Sequence, residues 1–187
     1  MLVWTRGCDM TEYEQIRRRY RPPVVRYLLI AESPPPAAGV ASSRQFYRAE
    51  YQKPDDRLYA NTMRAVFAEA ADAPAGDLEA AKAAWLGRFR DAGFYMIEAL
   101  ETSLEHEVTK PERRRLLAER ADAVIARVRE LATAETKLIL IKSNVYDMLA
   151  GPLRAAGFVV LNEALLDYPG RFIQRDYREK LAAMVRV

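Results

Sequence analysis

The chain is short of the residue types on which much protein chemistry depends. Its 187 residues include one cysteine, Cys8, which excludes an internal disulfide framework and any zinc or iron–sulfur site built from several thiolates. A single histidine, His106, excludes every metal site or mechanism that needs two imidazoles. No uninterrupted apolar run approaches the ~20 residues of a membrane-spanning helix. Met1 to Tyr20 mixes charges throughout and lacks the apolar stretch of a signal peptide. The expectation is a reduced, cytoplasmic chain with no membrane partner, no metal and no cofactor. Lysine is scarce too, occurring only as Lys53, Lys82, Lys110, Lys137, Lys142 and Lys180. The remaining basic residues are arginines, whose planar fork suits phosphate. A formal net charge of +3 permits a polyanionic partner without demanding one.

What is present alternates between two patterns. Short, nearly continuous apolar runs read as strands buried on both faces: Arg26–Ala31, Phe94–Glu98, Lys137–Lys142 and Phe158–Leu161. Between them the spacing is helical. Leu58, Met63, Val66 and Phe67 belong to one amphipathic stretch, and Leu78, Ala81, Trp85, Leu86 and Phe89 form one stripe. Leu117, Ala121, Val124, Ile125, Val128 and Leu131 form another, with Pro111 suited to its first turn. Asn144–Ala156 and Arg171–Val187 complete the set, the last with Phe172 on its apolar face. Strands alternating with helices predict a three-layer α/β/α fold around a short, parallel, four-stranded sheet. A helical extension over 1–23 is expected to precede a single α/β domain over 24–187.

Ligands of such sheets bind at the C-terminal strand ends. After the first strand, Glu32 and Ser33 precede Pro34, Pro35 and Pro36. Three prolines make a stiff wall without amide donors, not a phosphate-cradling glycine loop. Glu32 is expected to be partly desolvated, with raised proton affinity. It either meets a ligand or pairs with a nearby arginine and caps the turn. Phe46 and Tyr47 lie within loop reach, either as a stacking surface for a planar heterocycle or as core. Glu98 either faces the same cleft, or caps a helix or sits in a salt bridge. Ser143 or Asn144 caps the helix after the third strand, whose N-terminus also suits an anion. Arg171, Gln174 and Arg175 open the last helix and suit a nucleic-acid backbone. A hydrolase using Ser33 as nucleophile is the most distant reading, because Ser33 precedes proline rather than a glycine elbow.

Ala31-Glu32-Ser33-Pro34 directly after the first strand resembles the active-site motif of the uracil-DNA glycosylase superfamily. That motif has a small residue, then Gln or Glu, then often Asp or Ala, then Pro. Lys142-Ser143-Asn144 is similar to the superfamily's strand-to-helix step before its last core strand. Tyr168-Pro169-Gly170-Arg171 falls where those enzymes carry a DNA-intercalation loop beginning with His and Pro. Ser33 stands where several families place a water-activating Asp, Tyr168 where a catalytic His would be, and Glu98 where many members read the uracil edge with Asn. The resemblance implies a DNA partner and hydrolysis of the N-glycosidic bond of a deaminated or damaged base. In it Glu32 and Ser33 are the catalytic residues, with Glu32 positioning water; Pro34, Pro35, Phe46, Tyr47, Glu98, Ser143 and Asn144 line the base site, and Lys142, Tyr168–Arg171, Gln174 and Arg175 meet DNA. The alternative is a non-catalytic module on the same fold that binds a nucleobase, nucleotide or protein.

Overall fold

The computed structural model describes residues 9–34, 45–50, 56–104 and 108–185. Helix α1 (Asp9–Arg19) leads into strand β1 (Val25–Ala31), followed by α2 (Arg57–Val66), α3 (Ala75–Ala80), α4 (Lys82–Asp91) and β2 (Phe94–Glu98). Then come α5 (Lys110–Glu119), α6 (Ala121–Leu131), β3 (Ala132–Leu140), α7 (Ser143–Ala155), β4 (Val159–Val160) and α8 (Gln174–Met184). The four strands form one all-parallel sheet in the order β2-β1-β3-β4. Right-handed crossovers then put α2–α4 on one face and α5–α7 on the other. The packing agrees: α8 joins α2, and α5 and α6 pack on α7.

The sheet forms because its central strands are apolar on both faces. Leu28, Leu29 and Ile30 of β1 and Leu138, Ile139 and Leu140 of β3 are fully buried. Gly93 opens β2 with φ +83, and its carbonyl accepts from the backbone of Arg26 and Tyr27. A Cβ there would meet the Arg26 side chain at 2.7 Å, so this close approach requires glycine. Tyr27 and Phe89 both stack on Phe94 and seal that end of the sheet. Among the described residues no helix is long and apolar enough to cross a membrane.

Several boundaries differ from those the periodicity predicts. The stripe Leu78–Phe89 is divided between α3 and α4 at Ala81, and the stripe Leu117–Leu131 between α5 and α6 at Arg120. A one-residue break preserves which side faces the core, so hydrophobic spacing does not register it. Pro111 does fall in the first turn of α5, behind the Thr109 cap. β3 begins five residues before Lys137, because Thr133–Glu135 are exposed and carry no apolar signal. Thr136 pins this irregular stretch by donating to the Val25 carbonyl at 2.6 Å. β4 stops at Val160, where the buried Asn162 takes over. Its side chain accepts from Leu140 N at 2.7 Å and donates to Leu140 O at 2.9 Å, imitating the missing strand. α8 starts at Gln174, which leaves Phe172 outside any helix and 90% exposed.

Candidate functional site: a carboxylate with two cations at the switch point

In this strand order the chain leaves β1 towards β2 and leaves β3 towards β4, in opposite directions. The helices that follow these two strands therefore go to opposite faces, which makes the C-terminal ends of β1 and β3 the topological switch point, where ligands of such sheets bind. Glu32 reaches it from β1. Its backbone carbonyl accepts from Leu100 N at 2.8 Å, while Ile141 N is bound to the Ile30 carbonyl one step earlier. Lys142 and Asn144 enter from β3 and the start of α7. Arg113 enters from the first turn of α5, with its Nε fixed on the Val108 carbonyl at 3.0 Å.

These four side chains form one cluster. Glu32 Oε1 accepts from Asn144 Nδ2 at 2.9 Å. Glu32 Oε2 accepts from Arg113 Nη1 at 3.1 Å and from Lys142 Nζ. The carboxylate is buried, whereas Lys142 is about one-third exposed and Arg113 less so. Burial alone would raise the Glu32 pKa. The hydrogen bonds from Lys142 and Asn144, with the charges of Lys142 and Arg113, outweigh burial and hold it below the usual carboxylate range. The raised proton affinity expected from its position is therefore corrected: the donors decide, and Glu32 is a stable anion at neutral pH. Lys142 has φ 85 and ψ 143, the only described non-glycine residue with positive φ. That conformation costs of order 1–3 kcal/mol and persists only where its surroundings enforce it. Lys142 N donates to the Leu166 carbonyl at 2.7 Å, which ties the site to the segment leading into α8.

Of the sequence-predicted residues, Glu32, Lys142 and Asn144 meet at the switch point, with Ser33 and Ser143 half-buried beside them and Pro34 buried. The expected cap is corrected. Lys142 holds the N-cap position of α7 and offers no acceptor, Ser143 and Asn144 lie inside the helix, and no described side chain caps it. Pro35 and Pro36 lie outside the described residues, as does His106.

Phe46 and Tyr47 are core residues rather than a free stacking surface. Phe46 packs against Tyr47, Tyr59 and Phe89, and Tyr47 accepts from Met96 N at 2.7 Å while stacked on Tyr20. Glu98 turns to α1: Tyr13 Oη donates to it at 2.6 Å and Arg17 Nη1 at 3.1 Å. A cleft of about 370 Å³ adjoins that pair, with Arg17, Arg21, Tyr95 and Arg127 in its walls, and Glu32 takes no part in it.

The segment before α8 is the second element of interest. Tyr168 is half-exposed, Pro169 buried and Gly170 partly so, while Arg171 is exposed beside the Phe172 ring at 5.8 Å. Ile173 is also exposed. Gln174 Oε1 accepts from Asn61 on α2 at 3.3 Å, and Arg175 pairs with Glu179, so these two are partly engaged within the protein.

Arg113 and Phe172 are the residues that sequence reasoning missed. Arg113 sits in a run of three arginines that reads as a solvated helix face. The usable signal was positional, since the first turn of a helix that follows β2 lies at the C-terminal edge of the sheet. Phe172 fitted an apolar helix face, and nothing in its spacing indicates that the helix starts two residues later.

Fold and site together define an open, parallel α/β protein with a charged cluster at its topological switch point. Comparison with protein-family models, curated proteins and solved structures finds no match to this chain.

Proposed function

We propose that this chain is a divergent uracil-DNA glycosylase-like protein that binds DNA and hydrolyses the N-glycosidic bond of a deaminated or damaged base. The observation that carries the reading is an exposed aromatic, Phe172, on the segment that runs from the Glu32 cluster into α8. Phe172 projects into solvent beside Arg171, on a segment whose root is hydrogen-bonded to Lys142 through the Leu166 carbonyl. An apolar side chain flanked by arginines is what unstacks a base step while the cations hold phosphates. A base displaced from the stack is then the group that the switch-point cluster would receive.

Glu32 supports the chemical half. Its Oε1 takes one donor among the described residues, Asn144, and so retains a lone pair for a water. Held ionised, it orients that water and faces the positive charge that develops on the sugar as the C1′–N bond breaks, the electron pair leaving with the base. Its lowered pKa suits this electrostatic role and not that of a general acid. One observation favours the non-catalytic alternative: Oε2 already carries two cations, which offset the charge on which the reaction depends.

A cleavage assay on uracil-, hypoxanthine- and xanthine-containing oligonucleotides separates the two. The expected result is an abasic product from one of them, with Glu32→Gln losing turnover without losing DNA affinity. Phe172→Ala is expected to weaken DNA binding and to change stability by less than about 0.5 kcal/mol, because the ring packs on little. An absence of product on every substrate removes the enzymatic half. An absence of salt-sensitive DNA binding removes the whole reading.

A further inference from the structure

Lys142 combines two locally unfavourable choices. It occupies a backbone conformation that glycine alone adopts readily, and it puts a cation at the N-terminus of a 13-residue helix, the positive end of the dipole. Ser, Thr, Asp and Asn are the residues that normally hold that position. The first turn of α7 contains no acidic residue, and among the described residues no side chain caps it. Arg113 brings a second cation, a guanidinium from α5, to the same point, so two cations flank one carboxylate. Glu32 uses one of the three Nζ donors of Lys142, and the side chain is about one-third exposed. Asp147, the nearest acid on α7, is paired with Arg114. Such unfavourable local choices are expected where function compensates them.

From this arrangement we infer that Lys142, with Arg113 and the uncapped start of α7, seats a phosphate group. The helix amides and the two cations supply the donors that a phosphate accepts. Glu32 is the built-in counter-ion that sets how tightly the group is held. The phosphate belongs to a nucleic-acid strand or to a free nucleotide. The inference rests on the proposed function only for that source, since the seat itself follows from the cluster.

Titration calorimetry at low ionic strength, with inorganic phosphate as the first probe, tests the seat. Saturable binding is expected. Lys142→Met should weaken it about tenfold, Arg113→Met should weaken it less, and Lys142→Arg should restore most of it. Glu32→Gln should tighten it severalfold, because removing the internal anion leaves the cations to the ligand. Circular dichroism melts of each variant confirm that the protein titrated is folded.

Phosphate affinity that is the same in wild type, Lys142→Met and Glu32→Gln would overturn the inference, and so would weaker binding by Glu32→Gln or no binding at all. The second probes are a single-stranded oligonucleotide and a nucleoside monophosphate. Lys142→Met losing affinity for the strand alone assigns the phosphate to nucleic acid, and an equal loss for both assigns it to a nucleotide. A positive phosphate result with a negative cleavage assay upholds the seat and removes only the excision chemistry.

Discussion

Glu32 and Glu98 leave neighbouring strands one register step apart, since Glu98 pairs with Ala31, yet their environments push their protons in opposite directions. Both are buried. For Glu98, burial dominates: Arg17, Tyr13 and Arg127 favour its anion but do not offset desolvation, and its pKa rises above 4.5. For Glu32 the same penalty is overcome by Lys142, Asn144 and Arg113, and its pKa falls below 4.5. The difference lies in connectivity. Glu98 is closed off by a helix that contributes a phenol and a guanidinium, both themselves buried. Glu32 is met by donors from three elements that converge on the switch point and remain open on the Lys142 side. Glu98 anchors the N-terminal helix, and Glu32 organises a site.

Breaking the Glu98 side should have the largest effect. Arg17→Met strands the buried Glu98 beside Tyr13 and should cost about 3–5 kcal/mol in urea unfolding. If it costs less than about 1 kcal/mol, α1 is not held by this pair.

Glu32→Gln should cost about 1–3 kcal/mol, since its partners reach water more readily. The pH dependence sharpens the contrast. A carboxylate with a lowered native pKa adds stability that is present above its unfolded value and lost as pH falls through its native value. The advantage of wild type over Glu32→Gln should therefore be full above pH 4.5 and shrink below it. A raised native pKa has the opposite sign. The advantage of wild type over Glu98→Gln should be greatest below pH 4.5 and decline as pH rises through the native value. Parallel slopes in chemical denaturation series would refute the contrast.

The backbone at Lys142 gives the smallest effect. Lys142→Gly and Lys142→Ala both remove the ion pair, but only glycine relieves the positive φ, so the glycine variant should be about 1 kcal/mol the more stable. Equal stabilities would mean that the turn relaxes and holds no strain.

The sheet was legible because its strands are buried on both faces. Runs such as Leu28–Ile30 and Leu138–Ile141 have no other simple reading, and their alternation with helices fixes a parallel sheet. The position of Glu32 at a strand end followed from the same runs. Its partners did not, because ion pairing between Glu32 on β1, Arg113 on α5 and Lys142 after β3 depends on strand order, which apolar periodicity does not encode. The exposed start of β3 and the late start of α8 were hidden for the converse reason: polar residues can occupy an edge and apolar ones can project into water. Phe46 and Tyr47 show how little composition separates a binding surface from a core.

The opposed pKa shifts are the central claim, and carboxyl-carbon NMR titration of the protein with ¹³C-labelled glutamate, assigned through Glu32→Gln and Glu98→Gln, measures them directly. Glu32 should titrate below 4.5 and Glu98 above it. A Glu32 resonance that titrates above 4.5, or the two carboxyls titrating together, would contradict it.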